Sequence, residues 1–128
     1  MAEELPGVAG DLNITIEQGA TFQMPVQLST GGLVADGGTP INLSGCSVRM
    51  HIRKRIADTN PLLSLTTGTG QITFTNAAMG QFLVTITDEV TAAITWTAGV
   101  YDLEVETAGG QVKRYLQGKV KVSKEVTR

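Results

Sequence analysis

Cysteine, histidine and tryptophan each occur once among the 128 residues, at Cys46, His51 and Trp96. One cysteine excludes an internal disulfide, and a single histidine leaves a zinc site little but carboxylates to be built from. Stability therefore rests on packing and hydrogen bonds. Long apolar runs are missing too: pieces such as Phe82-Leu83-Val84 fall far short of the ~20 residues that cross a bilayer. Glu3 and Glu4 stand where a signal peptide needs positive charge, so neither a membrane span nor Sec export is expected. No excess of positive charge compensates. Ten Lys and Arg against twelve Asp and Glu give a net charge of −2 and an isoelectric point near 5.3, which offers no global attraction to nucleic acid or anionic lipid.

What is abundant is Thr, Val and Ile, 37 residues in all, with 15 Gly. β-branched side chains fit a pleated surface and glycine fits tight turns, so strands outweigh helices. A composition 41% hydrophobic and 17% charged suits a folded core, and the length suits one domain.

Residues 1–11 are small, polar and punctuated by Gly and Pro, the profile of an arm. Residues 12–17 alternate strictly, with Leu12, Ile14 and Ile16 on one face. Phe22, Met24, Val26 and Leu28 repeat the pattern, and Pro25 among them marks an edge strand or a bulge. Residues 29–44 hold so many breakers that a long exposed loop is expected. In residues 46–54, Val48, Met50 and Ile52 point inward and Ser47, Arg49, His51 and Arg53 outward. Short strands follow at 62–67, 71–75 and 81–87, separated by turn signals such as Asp58-Thr59-Asn60-Pro61 and Gly68-Thr69-Gly70. Residues 88–94, with Thr87 or Asp88 as cap and acids in the first turn, predict the one short helix.

Residues 100–107 and 111–122 predict a hairpin turning at Gly109-Gly110. That register sets Leu103 opposite Leu116 and Tyr101 opposite Gly118, which would leave room for the ring. It also places Arg114 inward opposite Val105, and Tyr115 outward. Seven to eight short strands without crossover helices predict an all-β fold: a single immunoglobulin-like antiparallel β-sandwich at 12–123, with one short helix, an arm at 1–11 and a tail at 124–128.

Catalytic signals are poor. His51 is the one imidazole available for proton transfer, but it stands between Arg49 and Arg53, which orient nothing, and no G-x-S-x-G elbow is present. Cys46 falls in phase with Val48 and Met50, where a small core residue belongs. Asp102, Glu104 and Glu106 alternate onto one exposed face next to a strand bearing Lys113, Lys119 and Lys121, which reads as a cross-strand ionic face rather than a cation site or a glycosidase pair. Arg49, Arg53, Lys54 and Arg55 form a basic cluster without interleaved aromatics, favouring an acidic protein neighbour over nucleic acid. No phosphate loop, metal spacing or dinucleotide fingerprint occurs; no enzyme activity, cofactor or metal is expected.

The stretch Asp11-Leu12-Asn13-Ile14-Thr15-Ile16-Glu17-Gln18-Gly19-Ala20-Thr21-Phe22, then Pro40-Ile41-Asn42-Leu43-Ser44-Gly45, Val48-Arg49-Met50-His51-Ile52-Arg53 and Gly99-Val100-Tyr101-Asp102-Leu103-Glu104, together with the ending from Leu116 to Arg128, resembles a family of small structural proteins of tailed bacteriophages and prophages. The resemblance implies an immunoglobulin-like virion component, similar to the N-terminal modules of baseplate and fibre-attachment proteins. It implies a tail, baseplate or fibre-adaptor subunit, present in many copies in a symmetric assembly. Its partners would be tail, baseplate, fibre or portal-proximal proteins, with neither nucleic acid nor membrane bound. The chain would be made in the host cytoplasm and carried in the virion. Expected contact residues are Arg49, His51, Arg53, Lys54 and Arg55, with Leu33 and Val34 of the long loop. Two alternatives are a capsid decoration protein and a carbohydrate-binding host-attachment module using Trp96 and Tyr115.

Overall fold

The computed structural model describes residues 9–33 and 38–126. The first eight arm residues, Val34 and the tail end at 127–128 lie outside that set. Ten strands follow in chain order: β1 (Gly10–Asp11), β2 (Ile14–Glu17), β3 (Phe22–Ser29), β4 (Gly32–Leu33), β5 (Ser47–Arg53), β6 (Leu63–Thr66), β7 (Ile72–Asn76), β8 (Gln81–Ile86), β9 (Ala98–Glu106) and β10 (Val112–Ser123). One short helix, α1 (Asp88–Ala92), joins β8 to β9, capped at Thr87, whose hydroxyl accepts from the Val90 N–H.

The strands form two sheets, one ordered β1-β10-β9-β5-β6 with β2 also on β10, the other β4-β3-β8-β7. β3, β8 and β7 stand where an immunoglobulin-like sandwich has B, E and D; β10, β9, β5 and β6 stand as G, F, C and C′. The two-sheet all-β sandwich with one short helix is thus as expected. Apolar positions spaced by two supply both inner faces: Val26, Leu28, Ile72, Phe82, Val84 and Ile86 from the smaller sheet meet Val48, Met50, Ile52, Leu103, Val105 and Leu116 from the larger. Burying each such side chain contributes about 1.5–3 kcal/mol relative to leaving it in water.

Pro25 lies on an edge as its missing N–H requires. β3 pairs with β8 from Phe22 to Gln27, and among the described residues only its Leu28 and Ser29 pair on the other side, with β4.

Four expectations change. The arm does not stay free up to Asp11: Gly10 and Asp11 pair with Leu116 and Gln117, and β2 pairs with Val120 to Ser123, both parallel to β10. Between these two pairings Gly118 makes room for the backbone rather than for a ring; a Cβ there would collide with the Leu12 carbonyl oxygen. That oxygen accepts the Tyr101 hydroxyl at 2.7 Å.

The loop at 29–44 is not wholly exposed. Gly32 and Leu33 fold back on Ser29 and Leu28, while Ile41 and Leu43, two apart, both enter the core. Their N–H groups are taken by the Leu28 and Ala77 carbonyls at 3.1 and 2.8 Å.

The final hairpin turns over three residues, with Gly110 at φ +93° closing the turn. Near the turn the register differs by one from the expected: Lys113 faces Val105 and Arg114 faces Glu104. Tyr115 is an extra residue in the ladder, a β-bulge, after which Leu116 meets Leu103 and Gly118 meets Tyr101 as expected. The bulge sends Arg114 outward to Glu104 and Tyr115 inward to full burial.

Candidate contact face on the larger sheet

Because β5, β9 and β10 are neighbours, their outward residues line up in rows. One row reads Arg114, Glu104, Arg49 and Thr66; the next reads Asp11, Gln117, Asp102, His51 and Ser64; a third reads Lys119, Val100 and Arg53. The basic face of β5 and the acidic row of β9 are therefore one surface. The acids meet arginine from β5 as well as the cations of β10.

Arg49 bridges two carboxylates, with Nε 3.0 Å from Glu104 and Nη1 2.8 Å from Glu106. The hydrogen bond to Glu104 chiefly raises its pKa; burial opposes this, and Glu106 adds to it. All three side chains are roughly a third exposed, so solvent screens the pairs and their contribution stays within about 0.5 kcal/mol each. Gln117 donates to Asp11 at 3.0 Å. Arg53 donates from Nε to the Asp58 carbonyl at 2.9 Å, and its Nη1 stands 3.3 Å from His51 Nδ1. Arginine only donates, so His51 Nδ1 is the acceptor.

Over these rows lies an open groove of about 670 Å³, with Val100, Asp102 and Gln117 in its floor and the loop after β5 as one wall. Ile56 in that wall is 86% exposed. Beside it a second groove of about 530 Å³ runs between Lys54, Arg55, Trp96 and Lys119. Among the described residues the ion pairs are those of Arg49, so Lys54, Arg55 and Lys119 face solvent as unneutralised charge.

Of the expected contact residues, Arg49, His51 and Arg53 share the outer face of β5, and Lys54 and Arg55 continue it into the loop. Leu33 is not part of this surface: it belongs to the smaller sheet and packs, half-buried, against the core. Cys46 also packs against that core. The pairing of Trp96 with Tyr115 as exposed sugar-stacking rings does not hold, because the bulge buries Tyr115 completely. Burial, with the neighbouring Cys46 thiol, pushes its phenol up to about 12. Burial and then the Asp11 carboxylate hold the Tyr101 phenol well above its ordinary value.

Ile56, Lys119, Arg114 and Val100 are not among the contact residues expected from the sequence. A lone isoleucine between Arg55 and Ala57, just ahead of a turn signal, was the available sign of an exposed apolar anchor. Among the described residues no three His, Cys, Asp or Glu side chains are grouped to hold a metal ion, and no helix is long and apolar enough to cross a membrane. Comparison with protein-family models finds no match, and comparison with curated proteins finds no relative.

Proposed function

We propose that the chain is a non-enzymatic structural subunit of a bacteriophage virion, a tail, baseplate or fibre adaptor that works through protein-protein contacts. The observation that carries the contact reading is the outer face of the larger sheet: rows of charged and polar side chains, an open groove, and Ile56 exposed on its wall. Such a mixture of ionic rim and apolar anchor suits a polar protein interface. The phage setting rests on the family resemblance of the strand-end and turn motifs, and an immunoglobulin-like sandwich is the architecture that resemblance implies.

Quantitative mass spectrometry of purified particles tests this, comparing the chain with portal and major capsid proteins in intact virions and in separated tails. The expected result is retention in tails at a copy number near that of the portal. Loss with the heads at capsid-like copy number would make it a decoration protein. Absence from particles would overturn the reading.

A further inference from the structure

The larger sheet's outer face is not electrically uniform along β9. Towards the β9–β10 turn, Asp102, Glu104 and Glu106 are interleaved with Arg49 and Arg114. Towards the start of β9 the outward residues are Val100 and Ala98, and the strands beside them bring Arg53, Lys119 and Lys121. Lys54 and Arg55 follow directly from β5. The groove between Lys54, Arg55, Lys119 and Trp96 has three cations and no acid in its walls. The nearest sheet carboxylates, Asp102 and Asp11, stand one row further on, and Glu104 two. Asp58, in the same loop, accepts from the Arg55 backbone N–H at 3.2 Å and so faces the loop's own chain.

Three unpaired cations around an indole ring select an anionic ligand that also has an apolar part. We propose that this groove receives an acidic linear segment of a partner protein, its carboxylates set against Lys54, Arg55 and Lys119 and an apolar side chain against Trp96. The proposal rests on the contact-protein reading above for the kind of partner, and on charge complementarity for its chemistry. A nucleic acid fits less well. Its affinity grows with the number of phosphates neutralised, and here the cationic stretch ends within one row at Asp102. A single half-buried aromatic also offers no stacking platform. A peptide of a few residues needs no more than the groove supplies.

Trp96 is the sole tryptophan, so its fluorescence reports directly on the groove. The full chain is titrated with a capped peptide of glutamate and leucine, with its glutamine counterpart, and with a single-stranded oligothymidylate of equal charge. The glutamate peptide should change Trp96 emission saturably, and binding should weaken as salt rises from about 0.05 to 0.5 M. The glutamine peptide should bind at least about tenfold more weakly. The double variant Lys54→Glu/Arg55→Glu alters exposed loop positions, so the free protein's melting should not move, while peptide affinity should fall about tenfold or more. Equal binding of the two peptides, no response to the glutamate peptide, or tighter binding of the oligonucleotide would each overturn the proposal. A chain retained in tails that ignores the glutamate peptide refutes the groove and leaves the contact-protein reading standing. A chain absent from particles that binds the peptide does the reverse.

Discussion

Across the sandwich from Arg49, Asp102 and Arg114, the outer face of β3, β7 and β8 presents Gln23, Pro25, Thr73, Leu83 and Thr85, and those three strands contain no charged residue. β5, β9 and β10 together carry Arg49, Arg53, Asp102, Glu104, Glu106, Lys113, Arg114, Lys119 and Lys121. Both sheets contribute equally apolar inner faces to one core, so folding does not demand this division. Exposed ion pairs add little stability, and a neutral polar face is evidently enough to cover a sheet. The segregation is the reason the contact face proposed above is put on the larger sheet. The edges differ in the same sense. The larger sheet is strapped along β10 by β1 and β2, whereas β3 has no neighbour at its Pro25 edge among the described residues.

The strongest way to break the comparison is to remove the strap. Gly118→Ala places a methyl group against the Leu12 carbonyl, a backbone atom that cannot move aside cheaply. The cost should be about 2–4 kcal/mol, read as a lower denaturant midpoint. Hydrogen exchange should quicken at Leu12 and at Lys119, whose N–H donates to Asn13 at 2.9 Å. An unchanged midpoint would show the strap to be dispensable.

Alkaline pH comes next. The chain has two tyrosines, and both phenols titrate above their ordinary 10.0 in the folded state, Tyr115 at about 12. The unfolded chain releases these protons first, so stability is intact below pH 10 and falls as pH rises towards 12. For Tyr115 the loss is on the order of 2 kcal/mol. The ultraviolet tyrosinate band should stay nearly silent above pH 10 until unfolding and then rise for both residues together. An ordinary titration of one residue near 10 would contradict the inward bulge at Tyr115.

How much of this was legible follows from what each feature depends on. Period-two alternation is local, so the inward sets Val48, Met50, Ile52 and Phe82, Val84, Ile86 could be read directly, as could a cap at Thr87 or Asp88, of which the structure uses Thr87. The strap joins residues 106 positions apart, and parallel pairing at that distance leaves no local pattern. The bulge at Tyr115 shows only as Arg114 standing on the wrong face, a misfit that the displaced register resolves. For the site, the outward row of β5 was readable. That Arg49 would be taken by Glu104 and Glu106 depended on β5 lying beside β9, which is decided by the sandwich topology. Ile56 and Lys119 converge on one groove only through that same strand order.

Tyr101→Phe tests the strap more gently. It removes the hydroxyl that donates to the Leu12 carbonyl while keeping the ring in the core, and should lower stability by about 1 kcal/mol. A value near zero would mean that water replaces the hydroxyl without loss.

The smallest expected effect is the most direct test of why the two faces differ. Thr73 is exposed on β7, opposite Leu83, and Thr73→Lys puts a charge on the neutral face. If that face is neutral only because nothing there needs charge, the midpoint should move by less than about 0.5 kcal/mol, and incorporation into particles should be unaffected. Arg49→Met on the opposite face should cost a similarly small amount of stability, about 0.5 kcal/mol. It leaves Glu104 and Glu106 as neighbouring, unneutralised acids, so its deficit should shrink as salt rises. If the chain is the virion subunit proposed above, the two variants are close in stability and separable in assembly, since only the Arg49 change alters the proposed contact face. Equal loss of incorporation for both would mean that the neutral face is covered in the assembly as well, and that charge is not what marks the surface used.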